Sequence, residues 1–363
     1  MLALFLPPAL AAQPLVPTLL NSFPDELNEV SGMLVLPEAT WVVLDSGNPS
    51  ALYSIEPGTG NVLRTVTLEG VINTDWEEIT TDGTWVYIAD VGNNAGARTD
   101  LRIHRFPRSL LLDVAVMSVP VETIRFTYSD QVDLTPAFDA TAWDCEALVA
   151  TGDSLFLFTK NWVDLTTHLY ALPATPGEHQ AMPRGVLDAQ GLVTGAALDP
   201  VHGTIALIGH DPDELPFVWQ LSGYADHAFF SATTLTRRIA LPATQVEAIA
   251  WSAPDTVRFT CERNTTGAAR MWEMPLDLDM GVRGAERPAG PSLHNNPVEN
   301  TLVVDHLVHP TAYRIMDVRG HTLKKGTLGD GGAVDLSDLP MGTYVIEMVL
   351  RDRVQRLSFL HTR

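Results

Sequence analysis

The chain has 363 residues, 45% of them hydrophobic, with 44 acidic against 23 basic residues and a formal net charge of -21. That length gives a prior of about two domains. The acidic balance argues against nucleic acid and anionic lipid as partners and is compatible with cation binding. From residue 290 onward eight acidic and eight basic residues cancel, so the whole excess lies in the preceding part.

Residues 1–12 (MLALFLPPALAA) are apolar and end in small residues, which reads as a signal peptide cleaved near Ala12. They lack a basic n-region, and a plain apolar tail is the other reading. No other stretch reaches membrane-span length. One strand is predicted over residues 15–23, ahead of the first complete repeat.

The repeat is then the dominant signal. A Glu or hydroxyl residue followed by small and apolar residues recurs as Ser31-Gly32-Met33-Leu34, Glu77-Glu78-Ile79-Thr80, Glu146-Ala147-Leu148-Val149, Thr194-Gly195-Ala196-Ala197 and Glu247-Ala248-Ile249-Ala250. The starts lie 46, 69, 48 and 53 residues apart, near the period of a four-stranded propeller blade. Each echo is followed by a second apolar run that ends in a charged or titratable residue: Asp45, Asp90, Lys160, His210 or Glu262. Turn signals such as Thr81-Asp82-Gly83-Thr84 lie between, so each unit is an antiparallel hairpin. The start of its first strand then lies beside the end of its second. All ten residues are therefore placed on one face of the molecule, the candidate site.

Third and fourth strands follow in most repeats. Repeat two carries a longer insertion over residues 107–120, repeat three has a weak fourth strand near 185–187, and repeat five lacks a fourth strand. The orphan strand at residues 15–23 fills that last gap, closing a ring by its two chain ends. The predicted fold is all-β: a five-bladed β-propeller over residues 13–280, or six-bladed if the long second repeat hides another blade. Cys145 and Cys261 fall in non-equivalent strands, which argues against a disulfide between them.

A Gly/Pro-rich linker over residues 281–291 leads to a module over 292–363 with short alternating strands, read as a small β-sandwich. Its landmarks are Asn296-Pro297-Val298, Tyr313-Arg314-Ile315-Met316-Asp317 with Gly320, Leu339 followed by Gly342-Thr343-Tyr344, and a basic, apolar terminal strand. In combination they resemble the C-terminal sorting domain of type IX secretion system cargo of Bacteroidetes, with Asn295 where that family has the first proline of Pro-Asn-Pro. The resemblance implies engagement of the type IX machinery through this domain, and a protein that is secreted or held at the outer-membrane cell surface.

First strands line the central channel of a propeller, so Ser31, Glu77, Glu146, Thr194 and Glu247 converge on its axis. Crowded carboxylates either bind protons more tightly or hold a cation. An all-oxygen donor set suits Ca²⁺. Asp45, Asp90 and Glu262 are expected as an outer carboxylate shell, with Lys160 and His210 neutralising it or engaging an anionic ligand. The pattern is similar to calcium-activated nucleotidases (apyrases) and esterase-like phytases, at Ser31, Glu77, Glu146, Thr194 and Glu247 only. The expected function is binding of a small molecule, glycan or phosphoester over a central Ca²⁺. The alternative is metal-dependent phosphoester hydrolysis with Glu77 or Glu146 as general base.

Overall fold

The computed structural model describes residues 13–263 and 267–276. In the C-terminal part it describes 292–293, 298–305, 307, 309–317, 321–329, 331–349 and 354–362. The expected signal peptide, the linker, the Asn296-Pro297 motif and Gly320 lie outside the described residues. The chain divides into two compact units, Met1–Asp279 and Met280–Arg363.

In the first unit β1 (Thr18–Ser22) precedes β2 (Val30–Val35), β3 (Thr40–Leu44), β4 (Ala51–Ile55) and β5 (Val62–Leu68). Next come β6 (Trp76–Thr81), β7 (Trp85–Asp90), β8 (Arg102–Pro107), β9 (Ser118–Val119) and β10 (Glu122–Tyr128). The third group is β11 (Asp144–Thr151), β12 (Ser154–Lys160), β13 (Thr167–Pro173) and β14 (Gly177–Leu187). The fourth is β15 (Leu192–Asp199), β16 (Thr204–His210), β17 (Pro216–Ser222) and β18 (Thr233–Arg238), and β19 (Val246–Ala253), β20 (Thr256–Cys261) and β21 (Arg270–Pro275) end the unit.

Sequence pattern explains the order of strands within each sheet. Second strands such as TWVVL (β3) and TIALIGH (β16) are buried along their whole length, as expected for strands covered on both faces. Outer strands such as ETIRFTY (β10) alternate exposed and buried residues, the period of a half-covered sheet. The β6–β7 turn is tight: Gly83 has φ +92, and the Asp82 carboxylate accepts the backbone N–H of Thr84 at 2.8 Å and of Trp85 at 2.7 Å.

The first strands β2, β6, β11, β15 and β19 pack against one another in a closed cycle, β19 returning to β2. Each of the five junctions between neighbouring first strands has its own apolar cluster. Val43 and Leu52 meet Trp76 and Phe106, for example, and Phe158 meets Leu207 and Leu221. The arrangement is propeller-like. The strand expected over residues 15–23 is β1, hydrogen-bonded antiparallel to β21 with Thr18 opposite Glu273, so the last sheet runs β1-β21-β20-β19.

One expectation needs correction and another is extended. The insertion in repeat two does not form a further sheet; it supplies a short 3-10 helix (Arg108–Leu111) and β9, which joins the neighbouring sheet parallel to β5. The weak fourth strand of repeat three is the eleven-residue β14. Gly177, Pro183 and Gly185 disguise it in the sequence, and its pairing with β13 on one side and parallel to β10 on the other fixes it. That second pairing fuses two sheets into one of eight strands.

The second unit holds β22 (Ser292–Leu293), β23 (Thr301–Asp305), β24 (Thr311–Asp317), β25 (Thr322–Leu328), β26 (Gly332–Asp335), β27 (Gly342–Val349) and β28 (Val354–His361). They form sheets β22-β23-β26 and β25-β24-β27-β28. Leu302 and Val304 of one sheet share an apolar cluster with Ile315, Ile346 and Phe359 of the other.

Candidate functional site

All five first strands break register with their second strand where the sequence echo begins. The shifts fall between Val30 and Gly32, Trp76 and Glu78, Cys145 and Ala147, Val193 and Gly195, and Val246 and Ile249. Ser31, Glu77, Glu146, Thr194 and Glu247 are thus the extra residues of five β-bulges, a device that re-aims a side chain at the rim of a sheet. The glycines after Ser31 and Thr194 have a packing reason. A Cβ on Gly32 would come within 2.7 Å of the Ile79 nitrogen, and one on Gly195 would meet the Glu247 carbonyl oxygen.

Glu78 is the exception at that small position. It is completely buried, and its carboxylate accepts N–H bonds from Ile79 at 3.0 Å and from Ala196 at 3.1 Å, linking β6 to β15 across the channel. Burial raises its pKa well above the usual range, against the pull of those bonds. Gly32, Ala147, Gly195 and Ala248 at the equivalent places leave room for this one side chain.

At the bulged end of the first strands lies a cavity of about 270 Å³ lined entirely by polar residues. Six of them are carboxylates, Asp45, Asp75, Glu77, Glu146, Glu247 and Glu262, and the rest are Ser31, Ser46, Asn94 and Gln245. Asp45, Asp75 and Glu77 each offer one oxygen, and these three atoms lie within 4.8 Å of one another. Gly92 is what lets two of them come so close to the chain: a Cβ there would run into the Glu77 and Asp75 carboxylates. A larger cavity of about 530 Å³, with Leu34, Ile79, Ala196 and Trp251 in its wall, lies at the other end of these strands.

The electrostatics follow from burial and crowding. Burial first, and then the charges of Glu146, Asp45 and Asp75, raise Glu77 well above the usual carboxylate range. Asp75 is pushed up to about 7, by burial and then by Asp45. Glu247 reaches about 7 and Glu262 about 8, burial again leading, with Glu247 the largest charge acting on Glu262. Glu146 has a counter-ion: Lys160 Nζ donates to its Oε1 at 2.6 Å, both side chains being buried. Burial pushes Glu146 up while Lys160 pulls it down.

Six of the ten residues expected on this face therefore meet in one cavity: Ser31, Asp45, Glu77, Glu146, Glu247 and Glu262. Four stand elsewhere. Thr194 donates its hydroxyl to the Val246 carbonyl at 2.6 Å, tying β15 to β19. Ser31 makes the same bond to the Trp76 carbonyl at 2.6 Å, yet still borders the cavity. Asp90 is gripped by Arg98 at 2.8 Å and Arg102 at 3.0 Å, and accepts the Asp75 backbone N–H at 3.2 Å, so it positions Asp75 from behind. Lys160 stands behind Glu146, and His210 is buried with Nδ1 3.1 Å from the Asp211 carbonyl oxygen. Burial lowers the His210 pKa to about 4, so it is a neutral imidazole at pH 7.

Four lining residues were not among those expected, Ser46, Asp75, Asn94 and Gln245, and Asp75 is the carboxylate among them. Its signal was the Asp-x-Glu of Asp75-Trp76-Glu77, repeated as Asp144-Cys145-Glu146: residues two apart on a strand share a face. The same signal misleads at Asp144, whose oxygens accept the Asn93 N–H at 2.7 Å and the Trp162 indole N–H at 2.9 Å.

The oxygen-only donor set fits a hard cation, and Ca²⁺ tolerates ligands gathered from dispersed segments at about 2.3–2.6 Å. Two further observations agree. Glu146 Oε2 and Glu247 Oε1 are buried with no partner among the described residues.

No protein family and no curated protein matches the sequence. Among solved structures, the chain is similar to an exo-β-1,3-galactanase from Phanerochaete chrysosporium (9% identity, 94% of this chain and 93% of that chain covered, TM-score 0.43). It is similar also to a putative 6-phosphogluconolactonase from Bacteroides uniformis (14% identity, 90% and 89% covered, TM-score 0.33). Likeness at this level says nothing of substrate or reaction.

Proposed function

We propose that the first unit is a five-bladed β-propeller that binds a small ligand over a Ca²⁺ ion held by Asp45, Asp75 and Glu77. The observation that carries this reading is the convergence of those three carboxylates in a wholly polar cavity. Five bulged first strands in a closed cycle, with β1 completing the last sheet, support five blades rather than six. Glu146 and Glu247 complete the ring expected at the axis, and Ser31 and Thr194 pin neighbouring blades to one another.

Binding is favoured over phosphoester hydrolysis by the state of the cationic side chains. Lys160 is paired with Glu146, Arg98 with Asp90, and Arg263 lies 3.7 Å from Asp25. Stabilising a transferring phosphoryl group needs cations aimed at it. The second unit we read as a small β-sandwich and a type IX sorting domain, on the residues of its sequence landmarks, with the protein secreted or displayed at the outer-membrane cell surface.

The test is calorimetric titration of the full chain with Ca²⁺ after chelation. One ion per chain is expected, with affinity reduced at least about tenfold in Asp75→Asn and in Glu77→Gln, since each removes one charged ligand. Unchanged affinity in both variants would overturn the assignment.

A further inference from the structure

The cavity has a second half, opposite the three proposed ion ligands in chain position, built by Glu146 on β11 and by Gln245, Glu247 and Glu262 around β19 and β20. We infer that this half receives the hydroxyl groups of a neutral polyol, a sugar ring or cyclitol with adjacent hydroxyls. The inference rests on the cation reading above and names the class of ligand that joins the ion.

Unmet hydrogen-bonding capacity is the first argument. Glu146 Oε2 and Glu247 Oε1 are buried acceptors without a partner among the described residues, in side chains that are 4% exposed and line the cavity. A buried acceptor left without a donor is costly, and native structures rarely leave one. Of the donors in the lining, Ser31 has given its hydroxyl proton to the Trp76 carbonyl and the Gln245 side chain already bonds Glu247. An occupant that donates hydrogen bonds is what satisfies the two unmet oxygens.

Charge and shape narrow the choice. A phosphate brings negative charge and acceptor oxygens to a wall that is already rich in both, and the nearby Lys160 and Arg98 are held by Glu146 and Asp90. An ammonium group would satisfy the carboxylates but repel the ion beside it. An apolar ligand would leave every polar group of the wall unpaired. A hydroxyl group meets both demands at once, because its oxygen lone pairs face the cation while its proton goes to a carboxylate. The volume of about 270 Å³ sits just under the range of about 300–1,000 Å³ usual for larger organic ligands, room for one small ring.

The experiment is calorimetric titration of the full chain with myo-inositol and with methyl glycosides of the common hexoses, in millimolar Ca²⁺ and again in chelator, with inorganic phosphate as comparator. At least one neutral polyol is expected to bind in Ca²⁺, at least about tenfold more weakly in chelator, and more weakly again in Glu247→Gln, which removes the charge and one of the two acceptor oxygens at that position. Should Glu247→Gln fail to fold, the wild-type comparisons decide alone. Uptake of Ca²⁺ with no polyol bound, binding of phosphate in preference to every polyol, or two Ca²⁺ ions per chain would overturn the polyol assignment and leave the ion standing. Absence of any Ca²⁺ uptake would overturn both.

Discussion

At the scale of single residues, equivalent positions in a repeat divide between holding the ring and facing the cavity. Ser31 and Thr194 spend their hydroxyl protons on the next strand's carbonyl, whereas Glu77, Glu146 and Glu247 at the same bulge turn toward the cavity. The sequence showed that these five positions correspond, because the echo is periodic; it did not separate the two roles, because a hydroxyl and a carboxylate are both oxygen donors on paper. Thr194→Val separates them. The variant keeps the shape and removes the hydroxyl, leaving the Val246 carbonyl without that donor inside the protein. A loss of about 1–3 kcal/mol of stability is expected in chemical denaturation, with Ca²⁺ affinity unchanged. A fall in Ca²⁺ affinity with no loss of stability would instead make Thr194 a ligand.

At the scale of elements, the bulge and the closing strand matter most. A bulge inserts one residue into the ladder, so the side chain after it changes face, and only small residues or a channel-filling Glu78 fit there. Glycine and alanine after four of the five echoes were visible in the sequence, but the neighbour they make room for was not, since Ile79 and Glu247 belong to other repeats. The closing strand was legible from arithmetic: repeat five is one strand short and the N-terminal segment has one to spare. Removing residues 1–22 deletes β1 and leaves the β21 edge unpaired. Loss of a single cooperative melt and association through that edge are expected, read by light scattering against the full chain. A monodisperse monomer with an unchanged melt would sink the closure role of β1. By contrast β14 was hidden, because propensity speaks against glycine and proline in a strand and only its two partners decide the matter.

For the whole molecule, buried acids and buried histidines pull the pH dependence of the metal-free protein in opposite directions, and the acids prevail. Asp75 and Glu247 hold protons up to about pH 7 and Glu262 up to about pH 8, above the values of 3.8 for the Asp and 4.5 for both Glu that apply when unfolded. The folded chain binds more protons there, so this contribution is complete below pH 4 and is lost as pH rises to about 8. His104 and His210 run the other way: burial lowers both from 6.5 to about 4, so their contribution is present above pH 6.5 and is lost as pH falls toward 4. Between about pH 4.5 and 7 the three acids outweigh the two histidines, so melts in chelator are expected to fall as pH rises, by at least about 5 °C from pH 5 to pH 8.5, and Ca²⁺ should lift the alkaline end alone. A melt that keeps rising through pH 8.5 in chelator would contradict the crowding. What the sequence by itself determined was the all-β class, the five-fold register and six residues of the cavity, because strand period and repeat spacing are local properties of the chain. Only the tertiary structure decided that Asp90 and Lys160 are neutralised by ion pairs, that Asp75 joins Asp45 and Glu77 while its twin Asp144 does not, and that Glu78 spans the channel. Each depends on which distant backbone or charge a side chain meets when the ring closes, and no local pattern encodes that distance.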